Sequence, residues 1–165
     1  MVRVGILVAS DSRSAGSKAD MCIPAISALL EKNGFSVVRT AICPDEILPL
    51  RDTIREWARD GTVDVILTSG GTGVSPRDVT PEATRPLLER DLPGIPEAMR
   101  AASRKKTVYA VVSRGLAGLI GDVLVINLPG SPKAAVENLE PVIGAIPHIM
   151  RKAKGDASEC APASG

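Results

Sequence analysis

The chain has 165 residues, a net charge of +1, and 44% hydrophobic but only 2% aromatic residues. That length suits one domain with a single sizeable core, built from Val, Ile, Leu and Ala rather than from rings. A near-neutral charge, with Phe35, Trp57 and Tyr109 scattered along the chain, argues against a general nucleic-acid-binding surface.

In chain order, residues 3–9 form an aliphatic run, Val4, Ile6, Leu7 and Val8, that stops at Ser10-Asp11-Ser12 and reads as a first strand ending in a polar loop. Asp20 precedes a helix expected over 23–33, with Pro24 in its first turn, Leu29 and Leu30 inward, and Gly34 as its stop. Residues 35–42 read as the next strand. Cys43-Pro44-Asp45 leads into a helix whose Ile47, Leu50, Ile54, Trp57 and Ala58 keep helical spacing, which makes Trp57 a core residue rather than a stacking platform. Val63, Val65, Ile66 and Leu67 form a β-branched and aliphatic run suited to a buried parallel strand.

That strand opens into Thr68-Ser69-Gly70-Gly71-Thr72-Gly73, and Thr80 is expected to cap a helix over 81–90 with Pro81 and Glu82 in its first turn. Further helix is expected over 95–105, then a strand over 108–112 and another over 123–128, the two forming a hairpin or edge pair around the loop that holds Gly115, Gly118 and Gly121. Pro129-Gly130-Ser131-Pro132-Lys133 repeats the strand, turn, helix logic. Helices run to about Lys154, with Pro141 or Pro147 as a break. Residues 1–154 are read as one domain and 155–165 as a small, polar, disordered tail.

Strands alternating with helices predict an α/β three-layer sandwich: a mostly parallel central sheet with helices on both faces. In such a sheet, ligands collect where loops leave the C-terminal ends of the strands. The loops so placed carry Ser10 and Asp11, Asp45, the run from Ser69 to Asp78, and Pro129 to Lys133, with Ser113-Arg114 ending the expected strand after Tyr109. Each has a bland reading: Asp45 as a helix N-cap, Asp78 in an Asx-turn with Thr80, Ser113 as a loop cap, Lys133 as a solvated helix residue.

Dinucleotide and Walker motifs fail here, because position 76 is Pro rather than Gly and no Gly-Lys-Ser/Thr tripeptide occurs. Closely spaced Gly70, Gly71 and Gly73 still let backbone approach a phosphate. A carboxylate beside such a site would repel the ligand unless a cation lay between them. The pairing of Asp78 with this loop therefore predicts Mg²⁺ bridging Asp78 and a phosphate.

Cys22, Cys43 and Cys160 form no Cys-x-x-Cys pair, which argues against zinc. Their odd number, without a leader-like segment, predicts a reducing compartment, the cytosol. No apolar run approaches the roughly 18 residues needed to span a bilayer, so no membrane role is expected. His148, between Pro147 and Ile149, reads as structural.

Ser69-Gly70-Gly71-Thr72-Gly73, then Pro76-Arg77-Asp78-Val79-Thr80-Pro81, then Leu128-Pro129-Gly130-Ser131-Pro132-Lys133 resemble the MogA/MoaB molybdopterin-binding family, in a match running from Val4 to about Lys154. The Arg77-Asp78-Val79-Thr80-Pro81 segment is closer to the molybdopterin adenylyltransferase branch, MogA, than to the MoaB branch. The resemblance implies molybdenum cofactor biosynthesis, in which molybdopterin and Mg-ATP give adenylylated molybdopterin and pyrophosphate, with Mg²⁺ as cofactor and ATP as co-substrate. It implies Asp45, Asp78 and Ser113 as the functional trio, Asp45 and Asp78 organising Mg²⁺ and Ser113 donating a hydrogen bond to the pterin or the transferred phosphate. Ser69, Gly70, Gly71, Thr72 and Gly73 would hold phosphate, while Ser10, Asp11, Pro129, Gly130, Ser131, Pro132 and Lys133 would line the rest of the pocket.

A homotrimer and a downstream molybdenum-insertion protein are implied in the same way. One departure stands out: the family's Asp-x-Ser-Gly is replaced by Asp20-Met21-Cys22-Ile23, so a contact from this loop is lost or remade. Two other readings compete with the transferase. A carrier of molybdopterin or finished cofactor needs the glycine loops but not the carboxylates, and an assembly scaffold with a vestigial pocket needs neither.

Overall fold

The structure is a computed structural model, and it describes residues 1–157. Strands β1 (Arg3–Ala9), β2 (Ser36–Cys43), β3 (Val65–Ser69), β4 (Arg90–Asp91), β5 (Ala117–Ile120) and β6 (Val123–Leu128) form one sheet in the order β2-β1-β3-β6-β5-β4. The neighbours β2, β1, β3 and β6 are parallel, while β5 is antiparallel to both β6 and β4. Helices α1 (Asp11–Ser14), α2 (Cys22–Lys32), α3 (Ile47–Arg59), α4 (Thr80–Thr84), α5 (Gly94–Arg104), α6 (Pro132–Ile143) and α7 (Ile146–Ala153) connect them. This is the expected α/β three-layer arrangement.

The period of two along each strand sorts the core into two layers. Val4, Ile6 and Val8 of β1, Val65 and Leu67 of β3, and Leu124, Ile126 and Leu128 of β6 pack with Cys22, Ile26 and Leu30 of α2 and with buried residues of α5, α6 and α7. Leu7, Ile66, Val123 and Val125 face the other way, against Leu50, Ile54 and Trp57 of α3 and Ala83 of α4. Trp57 is 3% exposed, as its place in the helical stripe requires. Its ring fills the space over Gly5, where an added Cβ would come within 2.7 Å of Cε3, and Arg39 lies 5.1 Å from the ring centroid on β2.

Three expectations are corrected. Residues Val108–Val112 form a 3-10 segment, not a strand, and Val108 and Tyr109 are 71% and 77% exposed. The place beside β6 is taken by β5, which lies in the stretch read as a loop. Ile120 pairs with Val123 across Gly121 and Asp122, a two-residue hairpin turn in which Gly121 has φ +58°. The helix expected over 81–90 ends at Thr84; Pro86, which has no N–H to donate, lies in the 3-10 turn that follows, and the chain reaches β4 at Arg90.

The C-terminal helices settle the proline question. Pro141 is accommodated inside α6, whereas Pro147 sits in the first turn of α7. Gly155 and Asp156 still bond back to Lys152 and Arg151. Residues 158–165 of the tail, Cys160 included, lie outside the described residues. His148 is half-buried in α7. Among the described residues no helix is long and apolar enough to cross a membrane.

Asp64, buried just before β3, accepts hydrogen bonds from the Arg3 N–H (2.8 Å), Arg3 Nε (3.1 Å) and Lys154 Nζ (2.7 Å), tying the start of the sheet to the end of the last helix. Burial alone would raise its pKa, but the hydrogen bonds from Arg3 and Lys154 hold it well below the ordinary 3.8. A depressed folded-state pKa means the contribution is complete above the unfolded value and is lost as pH falls below it. We expect Asp64→Asn to lose about 1–2 kcal/mol at pH 7, a figure discounted because Arg3 and Lys154 are half exposed. Urea unfolding at pH 7 and pH 3 should show the gap between the two proteins narrowing without closing, because pH 3 lies below the unfolded value but above the folded one.

Candidate functional site

Register places the loops before any side chain is considered. Ala9 pairs with Cys43, Val8 with Ser69, and Ser69 with Leu128, so β1, β2, β3 and β6 end together at one sheet edge. After β1 the chain moves to β2 on one side and later to β3 on the other, which makes the crevice between β1 and β3 the topological switch point.

The glycine loop fits that crevice closely. Gly70 has φ +108°, and a Cβ there would lie 2.3 Å from the Ala9 carbonyl oxygen; a Cβ on Gly130 would lie 3.1 Å from Gly70 Cα. Gly71 has φ +63°. The Thr80 hydroxyl donates to the Gly70 carbonyl at 2.8 Å and its N–H to the Gly71 carbonyl at 3.0 Å, closing the loop onto α4. Thr80 therefore does not cap α4 as expected; Val79 precedes the helix with no side-chain cap bond. Asp78 also bonds differently, Oδ2 accepting the Ser75 N–H at 2.8 Å instead of turning onto Thr80.

Beneath the loop lies a buried polar network. Asn127 Nδ2 on β6 donates to Thr68 Oγ1 (2.9 Å) and Thr84 Oγ1 (3.1 Å), and Thr84 donates to the Thr80 carbonyl (2.8 Å). These bonds lock β3, β6 and α4 into one frame.

The acidic side is built from β1 and β2. The Asp11 N–H donates to Asp45 Oδ2 (3.0 Å) and the Asp45 N–H to Asp11 Oδ1 (2.9 Å). Arg77 clasps Asp11 through Nη2 and Nε at 2.8–3.1 Å. Those Arg77 bonds, with the Asp45 N–H, hold the Asp11 carboxyl below its usual range. Asp45 moves the opposite way: burial pushes it up, and the Asp11 and Asp78 charges add to that, against the Asp11 N–H and Arg77. Asp45 is not its helix's cap, since Glu46 holds that place.

A cavity of about 390 Å³ opens beside the loop. Of the residues singled out from sequence, Asp78, Ser113, Gly71, Thr72 and Gly73 line it, together with Pro129 and Gly130. Asp45 stands at its edge, with Oδ1 3.4 Å from where a Gly71 Cβ would be. The others do structural work: Ser69 donates to the Pro129 carbonyl (2.9 Å), Ser10 accepts the Arg13 N–H (3.4 Å), and Ser131 caps α6 by accepting the Ala134 N–H (3.1 Å). Gly70 packs below, Pro132 occupies the first turn of α6, and Lys133 is exposed and off the lining. A larger hollow of about 870 Å³, with Pro81, Glu82, Arg85 and Arg114 among its lining residues, shares Ser113 but neither the glycine loop nor the carboxylates, so the smaller cavity is the candidate site.

Sequence reasoning missed the arginines that shape it. Arg114 donates through Nε to the Gly73 carbonyl (2.6 Å) and through Nη2 to the Asp78 carbonyl (2.5 Å), its own N–H reaches the Thr72 carbonyl (2.9 Å), and Nη1 pairs with Glu82. Its guanidinium fork thus holds both ends of the loop. Arg13, whose side chain is 9% exposed, meets Asp20 at 3.4 Å and the Gly130 carbonyl at 3.4 Å. In the altered loop motif, Cys22 Sγ donates to the same Gly130 carbonyl at 3.3 Å. Proximity to Arg114 in the glycine loop leaves no trace in residue spacing, because the two are joined only in the fold.

The carboxylates suit Mg²⁺ bound together with a phosphate. Among the described residues no three acidic, His or Cys side chains form a preformed metal cage. Mg²⁺ shared with substrate phosphates needs only one or two carboxylates, and Asp45 is a destabilised anion that a divalent cation would relieve.

Fold and site together define a doubly wound α/β domain with an acidic, glycine-lined candidate site at its switch point. Residues 5–148 match the family described as "Probable molybdopterin binding domain". The chain is 37% identical to the molybdopterin adenylyltransferase of Haemophilus influenzae, over 86% of this chain and 73% of that protein. It is 46% identical to the crystal structure of the molybdopterin biosynthesis enzyme MoaB from Thermus thermophilus, with a TM-score of 0.89 over 94% of this chain and 98% of that one. It is also 39% identical to the molybdenum cofactor synthesis protein cinnamon of Drosophila melanogaster over 95% of its own length. The chain spans 26% of that relative, and 49% and 22% of two further relatives. The chain belongs to the molybdopterin-binding domain family of molybdenum cofactor biosynthesis.

Proposed function

We propose that this protein is a molybdopterin adenylyltransferase. An oxygen of molybdopterin's terminal phosphate attacks the α-phosphorus of ATP, the new P–O bond forms, the α–β anhydride bond breaks, and pyrophosphate leaves with the electron pair. Adenylylated molybdopterin is the other product. The nucleophile is already an anion, so the protein need not remove a proton; it aligns the two phosphates and offsets their charge. Mg²⁺, held by Asp45 and Asp78, would supply that charge compensation. Ser113 donates a hydrogen bond to the pterin ligand or to the transferred phosphate.

The observation that carries this reading is Asp78 and Ser113 in one cavity with Gly71, Thr72 and Gly73, with Asp45 at its edge. A cytosolic location, a homotrimer and a downstream molybdenum-insertion protein belong to the same proposal. Free thiols at Cys22 and Cys43 accord with a reducing compartment. The alternative is a non-catalytic carrier of molybdopterin, which needs the glycine loop but not the carboxylates.

Pyrophosphate release from molybdopterin and ATP separates the two. The transferase gives product with Mg²⁺ and falls to background when EDTA removes it. Tight pterin binding without product under both conditions would establish the carrier.

A further inference from the structure

The larger hollow of about 870 Å³ adjoins the candidate cavity, with Arg100 and Ser113 on both linings, and it gathers guanidinium groups. Arg85, Arg100 and Arg114 line it against two carboxylates, Glu82 and Asp91. Glu82 is already taken, since it pairs with Arg114 Nη1. Burial pushes the Glu82 carboxyl up, but the Arg114 hydrogen bond and the Arg114 and Arg85 charges hold it below its usual range, so two guanidiniums converge on this one anion. Among the described residues the Arg85 guanidinium has no hydrogen-bond partner, and that of Arg100 has the Gly115 carbonyl at 3.4 Å. Pro81, Pro86, Pro93 and Pro96 form much of the wall. Proline has no N–H to donate, and its apolar ring focuses the field of nearby charges instead of screening it.

We propose that this hollow is a second anion site, which binds a diphosphate group between Arg85 and Arg100, with Arg114 as a third donor once Glu82 yields. Each guanidinium presents a planar fork that fits one phosphoryl group, and two forks without a partner ask for two linked phosphoryl groups, not one. The neighbouring cavity supplies a source for such an ion. Pyrophosphate leaving past Asp45 and Asp78 would be repelled by both carboxylates, whereas the side bounded by Arg100 draws it into the hollow. That role as an exit for the leaving group rests on adenylyl transfer; the anion site itself does not. The diphosphate tail of a free nucleotide is the other source of the same chemistry. Glu82 acts as the internal competitor, a carboxylate that occupies Arg114 until a more highly charged anion arrives.

The test is calorimetric titration of sodium pyrophosphate, and separately of ADP, into the full chain in EDTA, where binding that needs Mg²⁺ at the carboxylates is absent. The wild type should bind pyrophosphate, at least about tenfold more weakly in Arg85→Gln, which removes a charge-assisted fork. Glu82→Gln should bind it at least about threefold more tightly, because its neutral amide no longer competes for Arg114. Opposite signs in two single substitutions cannot come from misfolding. A wild type that binds no pyrophosphate in EDTA overturns the site whether or not either variant folds, as does an affinity unchanged in either variant or weakened in both. Arg85-dependent binding of pyrophosphate alone assigns the leaving ion. Arg85-dependent binding of ADP that is at least as tight keeps the diphosphate site and overturns its role as an exit. Adenylyl transfer measured separately with Mg²⁺ keeps the two readings apart: product formation without Arg85-dependent binding overturns the site and leaves the transferase, and binding without product supports the site and overturns the transferase.

Discussion

Asp78→Asn is expected to lower Mg-dependent pyrophosphate release by about 10²- to 10³-fold while leaving pterin-probe affinity within about threefold. The substitution is close to isosteric, and the Asn side-chain oxygen can still accept the Ser75 N–H that Asp78 Oδ2 accepts at 2.8 Å, so the turn after the glycine loop keeps its shape. Arg114 holds the Asp78 carbonyl, a backbone bond that the change does not touch. What disappears is one negative charge in the cavity, next to Gly73, and with it half of the carboxylate pair assigned to Mg²⁺. A loss of turnover with retained binding is the mark of an interaction needed in the transition state more than in the ground state. Turnover that survives the change at near wild-type level would remove Asp78 from the metal site, and a carrier would show no effect at all on its binding. Steady-state kinetics over a range of Mg²⁺ concentrations, with probe binding measured by fluorescence, read both quantities.

Gly70→Ala should be the most damaging single methyl group in the chain. Its Cβ would stand 2.3 Å from the Ala9 carbonyl oxygen, a backbone atom that cannot swing aside, and φ +108° is backbone that an L side chain rarely adopts. Relief requires β1 and β3 to separate at the switch point, where Gly130 also packs on Gly70 Cα. A loss of about 3–5 kcal/mol is expected, with ligand binding abolished in whatever still folds. Gly121→Ala is the control: φ is +58° there but nothing lies within 4 Å of the new methyl, so about 1 kcal/mol is expected. Urea midpoints that fall equally in both variants would show that backbone conformation alone, not the close approach to Ala9, sets the cost.

The parallel part of this fold is legible in sequence because each strand is a short aliphatic run followed by a helix with its own period, as in the stretch from Val4 to Trp57. Val108–Val112 fails the same test for a physical reason: β-branched composition signals a strand only where a neighbouring edge is available, and β5 already pairs with β6. The Gly121-Asp122 turn was the local signal for that hairpin, hidden by Gly118, which is required where a Cβ would come within 2.6 Å of the Arg90 carbonyl on β4. Asp78 could be singled out from its own surroundings, since an acid beside a glycine turn poses an electrostatic problem. Asp45 and Ser113 carry no such local anomaly: strand order put their loops at the sheet edge, and resemblance supplied their roles. Arg114 acts across a distance of 41 residues in sequence, and only the packing of the loops brings it to Gly73.

The packing of Trp57 over Gly5 gives the molecule a built-in optical reporter. The chain has one tryptophan. Its indole is sealed beneath Arg39 against the first half of β1, whereas the ligand loops leave that strand after Ala9, some ~13 Å further along at strand rise. Its emission should therefore follow unfolding and stay nearly silent to occupancy, so a single sample can be excited at two wavelengths, one watching whether the chain is intact and the other whether a pterin has arrived.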